Sequence, residues 1–191
     1  MIVCVYGAAS DKIDQSYFTA CESLGYALGK NGHSLVYGAG ACGLMGATAR
    51  GFKKANAFVH GVIPKFFEEN GFEGVFASAD KITRTDTMEE RKAIMENECN
   101  AFIIVPGGVG TLDELFQIIT LKQLDRMDKA IAIYNVNGFY DKMIEMIYDC
   151  MAKGFINKEC SALFKVCSTE QEVVEYIENY TGNDIKWDFL K

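Results

Sequence analysis

The residues best suited to chemistry lie in a glycine-rich turn. An apolar run, Phe102-Ile103-Ile104-Val105, leads straight into Pro106-Gly107-Gly108-Val109-Gly110-Thr111-Leu112-Asp113-Glu114. Gly107, Gly108 and Gly110 leave successive backbone N–H groups open, and Thr111 adds a hydroxyl where a helix would begin. Backbone donors at a helix N-terminus attract anions, and this spacing suits a phosphate. No lysine follows the last glycine, so the run is not a P-loop and magnesium-dependent triphosphate hydrolysis is disfavoured. A monophosphate is the economical ligand. Glu114 carries two readings: Thr111-x-x-Glu114 fits a capping box, in which the glutamate merely satisfies a backbone donor. Alternatively it is a functional carboxylate beside the anion, and such a site needs a cation.

A cation lies upstream. Met88-Glu89-Glu90-Arg91-Lys92 opens a helix, with Thr87 as its N-cap and Glu90 three residues later. Helical spacing puts Arg91 on the face of Met88 and Met95, so a guanidinium rides on an apolar stripe. One reading is a snorkelling arginine among surface pairs of Lys92 with Glu89 and Glu96. The other aims Arg91 into the pocket, to bind phosphate or ribose and offset Glu114. Two more glycine turns belong to the same end of the molecule. Gly7-Ala8-Ala9-Ser10 offers small residues and the Ser10 hydroxyl. Gly38-x-Gly40-x-x-Gly43 matches the dinucleotide fingerprint, but the acidic residue expected about 20 positions on is missing from Phe58-Val59-His60. Gly43 and its neighbours are left as a tight turn or as a ligand-lining turn of another kind.

These turns must be held by a regular frame. Short β-branched or aromatic runs alternate with segments of helical period, the pattern of a parallel sheet with helices on both faces. Strands are predicted at Ile2–Tyr6, Ser34–Tyr37, Phe58–Ile63, Ala101–Val105, Ala130–Tyr134 and Leu163–Val166, with a weaker one near Lys81–Thr83. Helices are predicted at Ser16–Lys30, Leu44–Ala55, Met88–Glu98, Leu112–Leu124, Phe139–Ala152 and Gln171–Asn179, the last capped by Ser168. The expected architecture is a doubly wound, Rossmann-like α/β fold in a single domain over residues 1–191. In such folds ligands bind outside the carboxyl ends of the strands.

Composition narrows the function classes. The chain has 191 residues, 49% hydrophobic and 24% charged, with a formal net charge of −7 and a pI near 4.9. Nucleic-acid binding draws on clustered Lys and Arg, so no nucleic-acid partner is expected. The seven cysteines include no CxxC pair, and only two histidines occur. They read as buried small hydrophobes in a reducing compartment, with no metal site. Met1 to Gly7 lacks a basic n-region, and no apolar run approaches the ~18 residues of a membrane span. A cytoplasmic protein without a membrane partner is the expectation.

Taken together, the motifs resemble the Lonely Guy (LOG) family, the cytokinin riboside 5′-monophosphate phosphoribohydrolases, many of whose bacterial members carry the label of possible lysine decarboxylase. The resemblance runs from about Val3 to Met151. It rests on Tyr37-Gly38-x-Gly40-x-x-Gly43-Leu44-Met45-Gly46, Val62-Ile63-Pro64, Met88-x-x-Arg91-Lys92, Pro106-Gly107-Gly108-x-Gly110-Thr111-x-x-Glu114 and Asn135-Val136-Asn137-Gly138-Phe139-Tyr140. It implies cleavage of the N-glycosidic bond of a nucleoside 5′-monophosphate, a cytokinin nucleotide or AMP, to free base and ribose 5-phosphate. On that likeness Arg91 and Glu114 are catalytic. Gly107, Gly108, Gly110 and Thr111 cradle the phosphate, and Lys92 and Thr120 match ligand-associated positions; apart from the likeness, Met88 is the candidate for a wall beside the base. The family implies a homodimer without metal or cofactor. The chain departs from the common pattern at Gly7-Ala8-Ala9, at Leu121 and at Lys129-Ala130. A different class remains in view: a carrier or sensor that holds a phosphorylated cofactor, such as the molybdenum cofactor, in the same cradle. Lysine decarboxylation through pyridoxal phosphate is disfavoured, because only Lys92 lies beside these turns.

Overall fold

A computed structural model describes residues 1–71 and 74–182. Strands and helices alternate in the order β1 (Ile2–Tyr6), α1 (Gln15–Lys30), β2 (Ser34–Tyr37), α2 (Gly43–Lys54), β3 (Val59–Pro64), α3 (Lys65–Glu69), β4 (Lys81–Thr85), α4 (Met88–Glu98), β5 (Ala101–Ile104), α5 (Val109–Gln123), β6 (Ala130–Tyr134), α6 (Asp141–Ala152), β7 (Lys165–Cys167) and α7 (Glu170–Glu178). The seven strands form one sheet in the order β4-β3-β2-β1-β5-β6-β7, and every pairing is parallel.

The sequences of the strands explain this arrangement. The central ones are unbroken apolar runs, such as Ala101–Ile104 and Ala130–Tyr134, buried at every position. Such runs suit a parallel sheet covered on both faces. Side chains alternate between two cores. Val3 and Val5 join Leu24, Leu28, Phe52 and Ile177 under α1, α2 and α7, whereas Cys4 and Tyr6 join Met95, Leu115, Ile118 and Ile147 under α4, α5 and α6. Edge strand β4 is only partly covered and carries Lys81 and Arg84 outward, which discourages further pairing.

Several expectations need correction. Helix α5 begins at Val109, three residues before the predicted start. Helix α7 is capped by Thr169, whose hydroxyl accepts from the Glu172 N–H at 3.2 Å, and the Glu172 carboxylate accepts from the Ser168 N–H at 2.7 Å. Of two adjacent hydroxyls, the one with an acid three residues on forms the cap. The short helix α3 and the 3-10 turns at Val136–Gly138 and Lys158–Ala162 lack a readable period at such lengths. All seven cysteines are thiols. Five are buried, Cys150 is half-buried, and Cys42 is exposed at the N-cap of α2. No described helix is long and apolar enough to cross a membrane.

The chain runs outward from β1 to β4 and returns to β5 on the other side of β1. The carboxyl ends of β1 and β5 are therefore the topological switch point, where two connections diverge and leave a crevice. The Gly7–Ser10 and Pro106–Gly108 turns meet there, with the Ala8 N–H donating to the Pro106 carbonyl at 3.0 Å.

Candidate active site

The floor of the crevice is the N-terminus of α5. Gly108 is the N-cap, no side chain caps the helix, and the Leu112 N–H closes the first turn on the Gly108 carbonyl at 3.0 Å. The N–H groups of an α-helix's first turn have no intrahelical acceptor and lie at the positive end of its dipole. An anion is their natural complement. Thr111 occupies the third helical position, and its buried side chain folds back over Gly107. A Cβ on Gly107 would lie 2.1 Å from Thr111 Oγ1, so this approach requires glycine.

The turn is braced from the next loop. The Tyr140 hydroxyl donates to the Val105 carbonyl at 2.8 Å, and the Asn135 side chain accepts from the Tyr140 N–H and donates to Asp141, both at 2.7 Å. Burial pushes the Tyr140 phenol upward, which keeps it a donor. The Asn135–Tyr140 motif thus serves as a buttress for the turn after β5.

Because the cap is Gly108, Thr111-x-x-Glu114 is no capping box. Glu114 sits in the second turn, 8% exposed, on the wall of a cavity of about 360 Å³. The Gly7–Ser10 turn, Met45 of α2, Phe67 of α3, Met88 and Arg91 of α4 and the start of α5 complete that wall. Arg91 is 5% exposed, with Nη2 3.9 Å from Glu114 Oε1, so the predicted inward aim is what the structure has. Its Nη1 donates to Met88 Sδ at 3.8 Å, and its Cζ stands 5.8 Å from the centroid of the Phe67 ring, within cation–π range. The Nε donor is buried and has no acceptor among the described residues. Leaving such a donor unpaired costs roughly 1–3 kcal/mol, a cost that a ligand oxygen would remove. Tyr6, at the end of β1, escaped the sequence reading because its apolar neighbours mark it only as core. Burial, with Cys4 and the Glu114 carboxylate, pushes its phenol well up.

Other predicted residues divide. Ser10, Met88, Gly108, Gly110 and Thr111 line the cavity with Arg91 and Glu114. Gly107 lines an adjoining apolar hollow of about 240 Å³ with Ile13, Tyr17 and Phe139, which meets the first at Ala8, Ser10 and Gly108. Lys92 is held at the rim by Asp113, Nζ to Oδ2 2.9 Å, and is not on the wall. Thr120 is not brought to the cavity: it is exposed six residues beyond Glu114, about 9 Å along the axis, with its hydroxyl donating to the Phe116 carbonyl at 2.7 Å. Gly43 is also outside. Its φ is +62°, a Cβ would lie 2.3 Å from the Ala8 carbonyl, and its N–H donates to Asp11 Oδ1 at 2.8 Å. That bond holds the Asp11 carboxyl below its ordinary range. The Leu44 and Met45 N–H groups donate to the Ala8 carbonyl at 2.8 and 3.3 Å. The first donors of α2 are thus spent on the protein itself. Among the described residues, no three His, Cys, Asp or Glu side chains converge on a metal position.

A switch-point crevice with an open helix N-terminus and a buried arginine–glutamate couple defines a Rossmann-like α/β protein with an anion-directed site. The family model described as "Possible lysine decarboxylase" matches residues 45–177. The cytokinin riboside 5′-monophosphate phosphoribohydrolase LOG of Oryza sativa subsp. japonica is 35% identical, over 93% of this chain and 73% of that protein. The LOG4 enzyme of the same name from Arabidopsis thaliana is 34% identical, over 94% and 82%. The chain belongs to the LOG family. Among solved structures, the molybdenum cofactor carrier protein of Chlamydomonas reinhardtii superposes with a TM-score of 0.70 at 18% identity, over 94% of this chain and 96% of that one. The molybdenum cofactor binding protein of Rippkaea orientalis gives 0.70 at 19%, over 93% and 94%. At these identities the likeness is one of fold.

Proposed function

We propose that the protein is a phosphoribohydrolase that cleaves the N-glycosidic bond of a nucleoside 5′-monophosphate, a cytokinin riboside 5′-monophosphate or AMP, to free base and ribose 5-phosphate. The observation that carries this reading is the Arg91–Glu114 couple, 3.9 Å apart, on the wall of the cavity that also holds the open N-terminus of α5. The named activity of the relatives supports it.

In this reading the phosphate rests on the N–H groups of Gly108 to Thr111, and the ribose lies between them and Glu114. Breakage of the glycosidic bond leaves its electron pair on the base, which takes up a proton as the adding water gives one up, and builds positive charge on the sugar. A fixed carboxylate at Glu114 stabilises that charge and orients the water that adds to the anomeric carbon. Arg91 anchors a substrate oxygen and offsets the repulsion between carboxylate and phosphate. In this reading Asp113, which lines the same cavity, stays paired with Lys92, Oδ2 to Nζ 2.9 Å, and is not a second catalytic carboxylate. The reaction as drawn needs no metal and no cofactor, and a cytoplasmic homodimer is part of the same proposal. Incubation with AMP and with a cytokinin riboside 5′-monophosphate tests it: free base and ribose 5-phosphate appear in equal amounts. Saturable nucleotide binding with no release refutes it. A carrier would instead co-purify with a pterin; the buried Arg91–Glu114 couple favours the enzyme.

A further inference from the structure

The helix donors after β2 are taken up by Ala8 and Asp11, yet a side chain at Gly38 could not be added without displacing a neighbour. A Cβ at Gly38 would lie 2.0 Å from Nη2 of Arg91 and 3.1 Å from its Cζ, with Met45 Sδ at 3.3 Å. That Nη2 is the atom that faces Glu114. Gly38 is not among the glycines with positive φ, so its backbone is open to any residue. The need for glycine is therefore space for the guanidinium. Two other contacts on the guanidinium, Phe67 at 5.8 Å and Met88 Sδ at 3.8 Å, complete the slot.

We infer that Gly38 is a positioning residue: the turn after β2 is the seat of Arg91, and the missing side chain at position 38 sets where the guanidinium stands against Glu114. The inference deepens the proposed function and rests on it for the kinetic readout alone. The nearest obstacle to a Cβ is the tip of a flexible side chain, so Gly38→Ala moves the arginine and leaves the backbone in place. A displacement on the order of 1 Å in a group that must meet the reacting centre costs about 10²-fold in rate.

A double-mutant cycle tests the seat. Gly38→Ala is expected to lower kcat/KM for base release by about 10²-fold, and its crystal structure to show the Arg91 Nη2 to Glu114 Oε1 distance changed from 3.9 Å. In an Arg91→Ala background the same change meets only the flexible Met45 Sδ, at 3.3 Å, so the double variant matches Arg91→Ala within about twofold. Losses that multiply in the double variant would assign Gly38 a role independent of Arg91 and overturn the inference. An unmoved guanidinium in the Gly38→Ala structure would do the same. If Gly38→Ala alone fails to fold, the double variant decides with Arg91→Ala as its reference: equal stability of those two places the clash at Arg91, and a double variant that fails to fold where Arg91→Ala folds overturns the seat. If the wild type releases no base from any nucleotide, the proposed function falls, while the position of Arg91 in the variant structure still decides this inference.

Discussion

Replacing Glu114 by glutamine removes one negative charge and keeps the shape of the side chain. The carboxylate is 8% exposed, and its Oε1 lies 3.9 Å from a guanidinium nitrogen. At about 4 Å and an effective dielectric near 20, two unit charges interact by roughly 4 kcal/mol. A cationic sugar centre at a similar distance gains about that much from the carboxylate, and at about 1.4 kcal/mol per decade the loss corresponds to roughly 10³-fold in rate. The neutral glycosidic carbon of the bound substrate gains little from the same charge, so kcat and kcat/KM fall together and KM stays near its wild-type value. A structural glutamate behaves differently. A capping residue costs on the order of 1 kcal/mol in stability and leaves turnover intact, and Glu114 does not stand at the cap. The assay is chromatographic quantitation of free base under saturating nucleotide, with a thermal melt run alongside. A kcat within about tenfold of wild type (roughly 1.4 kcal/mol), accompanied by a lowered melting temperature, would refute the catalytic role.

Arg91→Ala leaves Glu114 facing the phosphate without its counter-charge, so nucleotide affinity by calorimetry and turnover both fall. Gly110→Ala separates function from stability. Nothing lies within 4 Å of a Cβ there, and alanine in a helix is favoured over glycine by up to about 1 kcal/mol. The melting temperature holds or rises, while the added methyl on the cavity wall raises KM for the nucleotide. Tyr140→Phe strands the Val105 carbonyl and costs roughly 1–3 kcal/mol by denaturant titration. Lys122 donates to the Lys129 carbonyl at 2.8 Å and stands 4.4 Å from the Tyr180 ring centroid, and burial lowers its amine to about 8. The unfolded chain, with its ordinary lysine value near 10.4, then binds more protons between the two values. Stability therefore rises from about pH 8 toward pH 10, and Lys122→Met flattens that rise.

The central strands were legible because burial on both faces writes itself as continuous apolar runs, and the site because its glycines follow those strands directly. Local signals misled where two patterns competed for one turn. Thr111 reads as a cap from its spacing to Glu114, but the glycines before it let the helix start at Val109. Gly38-x-Gly40-x-x-Gly43 has the spacing of the dinucleotide fingerprint without its acidic residue, which leaves a tight turn and a ligand-lining turn both open. Ala8 and Asp11, far away in sequence, take its helix donors, and Arg91 takes its empty space. Such uses depend on tertiary neighbours and leave no mark in the local spacing. Thr120 shares the helix of Glu114, yet its register turns it to solvent.

The most direct measurement compares a nucleoside 5′-monophosphate with the same nucleoside lacking phosphate, following both base and sugar products. If the N-terminus of α5 holds the phosphate and Glu114 acts on the glycosidic bond, the monophosphate yields free base and intact ribose 5-phosphate. The nucleoside then reacts with a kcat/KM lower by two or more orders of magnitude, about 3 kcal/mol of lost binding. Equal rates for the two, or release of inorganic phosphate in place of base, would contradict the account.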